Sequence, residues 1–155
     1  MRIEPFTLEH LASVARLEEI GGDAHWSEGQ FRQELDMSHS RIFVILADQP
    51  VQVESSPGVH EVVAYGGFWS VAGEAQMTNI VVHPQQRRQG LGRRLLEHLL
   101  ATAKHERCQT FVLEVRATNH AAQQLYAACG FKPVGRRPNF YQSPTDDAIL
   151  MEKQL

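Results

Sequence analysis

Apolar and polar positions alternate along this chain with two periods, and each change of period marks an element. Residues 2–6 read as a short strand. Leu8, Leu11, Val14, Ala15 and Leu17 then recur at helical spacing, with Thr7 placed to cap the helix and Gly21-Gly22 to end it. A second helix starts at Ser27. Ser27 and Gln30 have the spacing of a capping box, and Trp26 and Phe31 occupy the flanking hydrophobic-staple positions. RIFVILA (41–47) reads as a strand. Residues 48–60 are polar, carry Pro50, Pro57 and Gly58, and read as an exposed loop or hairpin tip. EVVAYGGFWSV (61–71) and EAQMTNIVV (74–82) read as antiparallel neighbours turning near Ala72-Gly73.

A helix over about 90–105 has Leu95, Leu96, Leu99, Leu100 and Ala103 as its buried stripe. TFVLEVR (110–116) is the next strand. Asn119 is placed to cap a further helix in which Ala122, Leu125, Tyr126 and Cys129 share a face, and Gly130 suits a left-handed C-cap. Residues 131–136 and 147–154 complete the pattern as strands. Strands interleaved with four helices predict an α/β or α+β domain on a mixed sheet, with no repeat and no second domain in residues 1–155.

Composition changes this picture little. The 155 residues suit one domain, and 43% hydrophobic with 21% charged residues is ordinary for a globular chain. A net charge of −3 gives no general basic character that would advertise nucleic acid. Cys108 and Cys129 form no CxxC and fit a reduced protein. The N-terminus has no apolar leader and no run nears about 18 apolar residues, so a soluble cytoplasmic protein is expected, with no membrane partner. The eight histidines are scattered, and His98 and His105 lack the i, i+4 spacing of a helical metal pair. They read as surface residues, Cys129 reads as a small core residue, and no metal is expected.

One stretch departs from this plainness. In VVHPQQRRQGLGRRLLEHLL (81–100) an apolar strand ends at His83-Pro84, glycines follow, and a helix begins amid Arg87, Arg88, Arg93 and Arg94. A helix N-terminus already carries about half a positive charge, so cations there repel it and one another. An anion removes that conflict. Strand, glycine turn and helix start form a generic phosphate site, in which Gly90 and Gly92 let backbone N–H groups approach closely. Neither GxxxxGK[ST] nor GxGxxG is present, and the plain alternative is a solvated basic helix start.

RRQGLG, an R-x-x-G-x-G arrangement after NIVVHP, resembles the coenzyme-A pyrophosphate loop of the GNAT N-acetyltransferases. LEVRATNHAAQQLYAACGF (113–131) and GRRPNFYQSPTDDAILM (135–151) extend the likeness, within that superfamily, to the bacterial ribosomal-protein-alanine N-acetyltransferases. The resemblance implies a mixed, mostly antiparallel sheet of six to seven strands flanked by about four helices. It also implies acetyl-CoA as co-substrate and the N-terminal alanine of a small-subunit ribosomal protein as acceptor. By that likeness the backbone of Ile80, Val81 and Val82 would bond the pantetheine arm in the manner of an added strand. The backbone amides of Arg88, Gln89, Gly90, Leu91, Gly92 and Arg93 would hold the pyrophosphate, Arg87 would join them in binding the cofactor, and Asn119 would meet it beyond. A buried strand explains Ile80–Val82 equally well, and helix capping explains Asn119.

The same likeness makes Glu114 the general base, directly or through water, and Tyr126 the general acid, with direct transfer in a ternary complex. On its strand Glu114 shares a face with Val112 and Arg116. In a sheet covered on both faces that carboxylate would lose water and its pKa would rise, while Arg116 pulls the other way. A Glu114–Arg116 pair and a core role for Tyr126 are the structural alternatives. Trp26 and Tyr141 are implied substrate contacts, with helix stapling and packing as their alternatives, and the loop from Gly21 to Trp26 and residues 136–141 would flank the acceptor. Phe140 stands where the family commonly has a tyrosine, which removes one hydroxyl. An α-amino group near pKa 8 is partly neutral at pH 7.5, whereas lysine near 10.4 must give up about 4 kcal/mol, which favours an N-terminus. Another N-terminus, a lysine or a small amine remains as acceptor, and a non-catalytic acyl-CoA-binding or RNA-binding module as another class.

Overall fold

Burial in the computed structural model, which describes residues 1–50 and 60–155, follows the two periods closely. The strands are β1 (Arg2–Pro5), β2 (Ser40–Pro50), β3 (His60–Val71), β4 (Glu74–Val82), β5 (Thr110–Arg116), β6 (Lys132–Tyr141) and β7 (Asp146–Gln154). The helices are α1 (Leu11–Gly21), α2 (Glu28–Glu34), α3 (Leu91–His105) and α4 (His120–Ala128). All seven strands join one mixed sheet in the order β1-β2-β3-β4-β5-β7-β6. Every neighbouring pair is antiparallel except β4 and β5.

On β4, Val81 points into the core under α1 and α2, with Val14, Leu17, Phe31, Val44 and Tyr65. Its neighbours Ile80 and Val82 point the other way, against Leu91 and Leu95 of α3. A third cluster joins Leu96 and Leu99 of α3 to Phe111, Leu113 and Val115 of β5 and to Tyr126 and Phe131. β3 lies between two covered faces and is buried from Val62 to Phe68, which explains its unbroken apolar run. Burying a side chain such as Phe31, whose ring meets Tyr65 edge-on at 5.4 Å, contributes about 1.5–3 kcal/mol.

The capping box at α2 forms as its spacing predicts: Ser27 Oγ accepts from Gln30 N at 3.2 Å, and Gln30 Oε1 accepts from Ser27 N at 2.7 Å. The Trp26 and Phe31 rings close the staple at 5.3 Å. Other expectations need correction. The first helix opens with a separate 3-10 turn at Leu8–His10, and Thr7 N donates to His10 Nδ1 at 3.0 Å. His10 is therefore buried, with Nε2 3.0 Å from Glu4 Oε1, and His98 is half-buried against Phe43, so these two histidines are not surface residues. Cys129 is only half-buried at the core's edge, whereas Cys108 is buried. Residues 48–50 belong to β2 and not to a loop, and the rest of the expected 48–60 loop up to residue 59 lies outside the described residues. β6 runs to Tyr141, beyond the predicted end at 136, and β7 begins one residue early at Asp146. β6 is exposed from Lys132 to Phe140, so no buried alternation announced its length.

Candidate active site

The site begins with a gap in the sheet. The β4–β5 ladder consists of three parallel pairs and ends at Gln76 and Val112, although β4 continues to Val82 and β5 to Arg116. On the other side of β4 the register with β3 steps from Asn79 opposite Gly67 to Met77 opposite Phe68, leaving Thr78 unmatched. Such a bulge bends its strand and increases the local twist. The β4–β5 ladder therefore stops short of Ile80, Val81 and Val82, and a strand edge without a ladder partner is where an extended ligand can add.

At the far end of this gap α3 starts at Gly90, which has a left-handed backbone (φ +77°) and no side chain to cap the first-turn amides. A Cβ at Gly90 would meet nothing within 4 Å, so space above the turn is open. Arg88 is also left-handed, at φ +63°. Arg87, Arg88, Leu91 and Gly92 line a cavity of about 520 Å³ that continues past Ile80, Val81 and Val82 to Asn119 and Tyr126. Gln89 and Gly90 lie exposed at the turn. The four arginines do not act alike, contrary to the picture of one basic crowd. Arg93 Nε donates to Glu97 Oε1 at 3.0 Å, and Arg94 Nη1 donates to the Met1 carbonyl at 2.6 Å. Arg87 Nε makes a long bond of 3.3 Å to the Val82 carbonyl and stays exposed.

A second cavity, of about 380 Å³, adjoins the first and shares Ile80, Val81, Asn119 and Tyr126 with it. Glu114, Tyr126 and Tyr141 all line it. Burial of Tyr126, which is 4% exposed, pushes its phenol well above the usual tyrosine range, with Tyr141 adding to the effect. Tyr126 thus belongs to both the core and the cavity. Burial, then the charges of Asp23 and Glu114, raise the Tyr141 phenol to about 12. Asn119 Oδ1 caps α4 by accepting from Ala122 N at 3.1 Å, so its capping role is fulfilled while it also lines both cavities.

Glu114 differs from expectation. Its strand face is not covered, and the carboxylate stands exposed between the central cavity and an outer groove of about 640 Å³. Trp26 walls that outer groove with Trp69 and does not line the central cavity.

The structural alternative for Glu114, a pair with Arg116, is not among the ion pairs of the described residues. Arg116 instead grips Asp23 with two bonds, Nε to Oδ2 at 2.6 Å and Nη2 to Oδ1 at 3.0 Å. It also donates to the Pro144 and Gln142 carbonyls at 2.7 and 3.2 Å and lies 4.5 Å over the Tyr141 ring. One guanidinium therefore ties the α1–α2 loop to the β6–β7 turn across the cavity mouth. Nothing in the spacing of Asp23 and Arg116 along the chain announces this contact. No group of three or more potential metal ligands occurs among the described residues, and no described helix is long and apolar enough to cross a membrane.

Comparison with known proteins agrees with this geometry. Residues 9–131 match the Acetyltransferase (GNAT) family. A Bacillus subtilis (strain 168) protein with the provisional name ribosomal protein bS18-alanine N-acetyltransferase is 32% identical over 145 residues, covering 93% of this chain and 89% of its own. The ribosomal protein bS18-alanine N-acetyltransferase of Escherichia coli K12 is 46% identical over 83 residues, 52% of this chain and 56% of its own. The crystal structure of the Escherichia coli ribosomal-protein-S18-alanine N-acetyltransferase superposes with a TM-score of 0.82 at 31% identity, covering 99% of this chain and 92% of that one. Arabidopsis thaliana NAA60 in complex with acetyl-CoA superposes at 0.87 over 99% of this chain and 98% of its own, with 14% identity, a likeness of fold alone. A mixed seven-stranded sheet parted between β4 and β5, a glycine turn at the gap's end and a family match over residues 9–131 lead to one conclusion: this chain belongs to the GNAT family and is an N-acetyltransferase.

Proposed function

We propose that residues 1–155 work as one domain that acetylates the N-terminal alanine of a small-subunit ribosomal protein, using acetyl-CoA. The observation that carries this reading is that Glu114 and Tyr126 line one cavity at the widening of the β4–β5 gap, with the uncapped start of α3 behind it. The names of the Bacillus and Escherichia relatives support the choice of acceptor. The gap fits acetyl-CoA on its own terms. The first-turn amides of α3, with Arg87 and Arg88, suit a pyrophosphate, and the unpaired edge at Ile80–Val82 suits the amides of a pantetheine arm. When bound, acetyl-CoA would supply the activated acetyl group.

The chain's own residues would do the rest. The α1–α2 loop and the β6–β7 turn, held together by Arg116, would seat the acceptor's first residue. Glu114 would take the proton that the acceptor ammonium must lose, directly or through water, since its carboxylate stands open to the cavity. Tyr126 would hand its phenolic proton to the departing sulfur and recover one as the nitrogen gives up its second proton on forming the amide; its burial holds that proton in place at neutral pH. Tyr141 would contact the peptide backbone from the opposite wall. An N-terminal alanine suits this machinery, because its amine titrates near neutrality.

The test is a peptide panel analysed by mass spectrometry. With acetyl-CoA, a peptide beginning with alanine should gain one acetyl group on its α-amine, and an N-terminally blocked version carrying lysine should gain none. Modification confined to lysine would overturn the assignment of acceptor.

A further inference from the structure

Beneath the α1–α2 loop lies a buried carboxyl group that the chemistry above does not use. Glu18, in the last turn of α1, is 2% exposed. Its Oε1 accepts from the backbone N–H of His25 at 2.8 Å, and its Oε2 accepts from the hydroxyl of Tyr65, itself fully buried in β3. No lysine, arginine or histidine side chain pairs with Glu18 among the described residues. A buried carboxylate is expensive, and an apolar side chain of similar volume is often better for stability. What the carboxylate supplies is a fixed pair of acceptors, one for the strand and one for the loop.

The loop has a shape that needs such a hold. His25 adopts a left-handed backbone at φ +56°, a region that side chains other than glycine rarely enter. Gly22 lies so close that a Cβ there would stand 1.9 Å from Glu18 Oε2, so the loop closes directly onto the carboxylate. Between these two points the loop delivers Asp23 and Ala24 to the central cavity, and just beyond them Trp26 to the outer groove.

We propose that Glu18 is a positioning residue for acceptor binding. Through the His25 amide its buried carboxylate holds the α1–α2 loop in the conformation that walls the acceptor site, with Tyr65 as its fixed anchor. The inference rests on the proposed acceptor only for its kinetic readout.

Glu18→Met tests it, because methionine keeps the length and the apolar packing but removes both acceptors. Exchange of the His25 amide with solvent, followed by NMR, should become about tenfold faster or more, the loss of one charge-assisted bond. The KM for an alanine-leading peptide should rise by a similar factor, while kcat and the KM for acetyl-CoA stay within about twofold. Glu18→Gln should restore slow exchange and low KM, since its carbonyl can accept from His25 while the Tyr65 hydroxyl turns to accept from its amide. Gly22→Ala should reproduce the methionine phenotype by displacing the carboxylate, and it carries the test if Glu18→Met does not fold. Unchanged His25 exchange, an acceptor KM that stays put while exchange accelerates, or a glutamine variant as impaired as methionine would each overturn the proposal. If the wild-type protein leaves the peptide unacetylated, the acceptor assignment fails, and the exchange data alone decide on Glu18.

Discussion

At Glu114 the carboxylate stands exposed between the central cavity and the outer groove, without an ion-pair partner among the described residues, so its lone pairs are available to an incoming amine. Glu114→Gln should lower kcat at neutral pH by about 10²–10⁴ while calorimetry finds acetyl-CoA bound as before; undiminished turnover would remove Glu114 as base. Arg116, two positions on, serves a different purpose. Its planar fork meets both oxygens of Asp23 and two backbone carbonyls, a geometry that an ammonium cannot reproduce. Arg116→Lys should therefore reduce kcat/KM for the acceptor by about tenfold or more, with the KM for acetyl-CoA nearly unchanged in steady-state assays. The chemical identity of these residues was legible in LEVR. Their environment was not, because the cover over a strand face and the partner of an arginine depend on segments remote along the chain, here Asp23 and the β6–β7 turn.

Elements with a clear signal formed where their residues pointed. The capping box at Ser27, the leucine stripe of α3 and the unbroken apolar run of β3 each combine a local preference with a burial pattern. β6 had neither, being exposed from Lys132 to Phe140, and half its length escaped notice. The bulge at Thr78 and the early end of the β4–β5 ladder were invisible for another reason: they are properties of pairing between strands, which no single segment encodes. The start of α3 lies between these cases, since its glycines were legible and its uncapped amides follow from them. Acetyl-CoA should raise the melting temperature measured by scanning fluorimetry, because it binds the folded chain alone. Gly90→Glu should abolish that rise by placing a carboxylate and a strained left-handed residue at the proposed anion site. A rise of undiminished size would refute the anion site.

For the molecule as a whole, burial leaves a mark on its pH dependence. The phenols of Tyr126 and Tyr141 are held above their usual value, so the folded chain binds more protons than the unfolded chain once pH exceeds about 10. Stability should be unaffected by these groups below that point and should fall as pH rises from about 10 to 12, a decline that thermal melts of Tyr141→Phe should show in weaker form. The larger consequence lies in the seam between β4 and β5. Three backbone pairs join the two halves of the sheet there, while behind them the core beneath α3 and α4 runs across without a break from Phe68 and Ala75 to Phe111 and Met151. The protein is thus an unfinished sheet with a solid back. On the proposed reading, the amides of a slender arm such as pantetheine would complete it from the front. Main-chain bonding of that kind would be indifferent to identity, so discrimination would fall to the two ends of the seam, the turn at Gly90 and the small chamber beside Arg116.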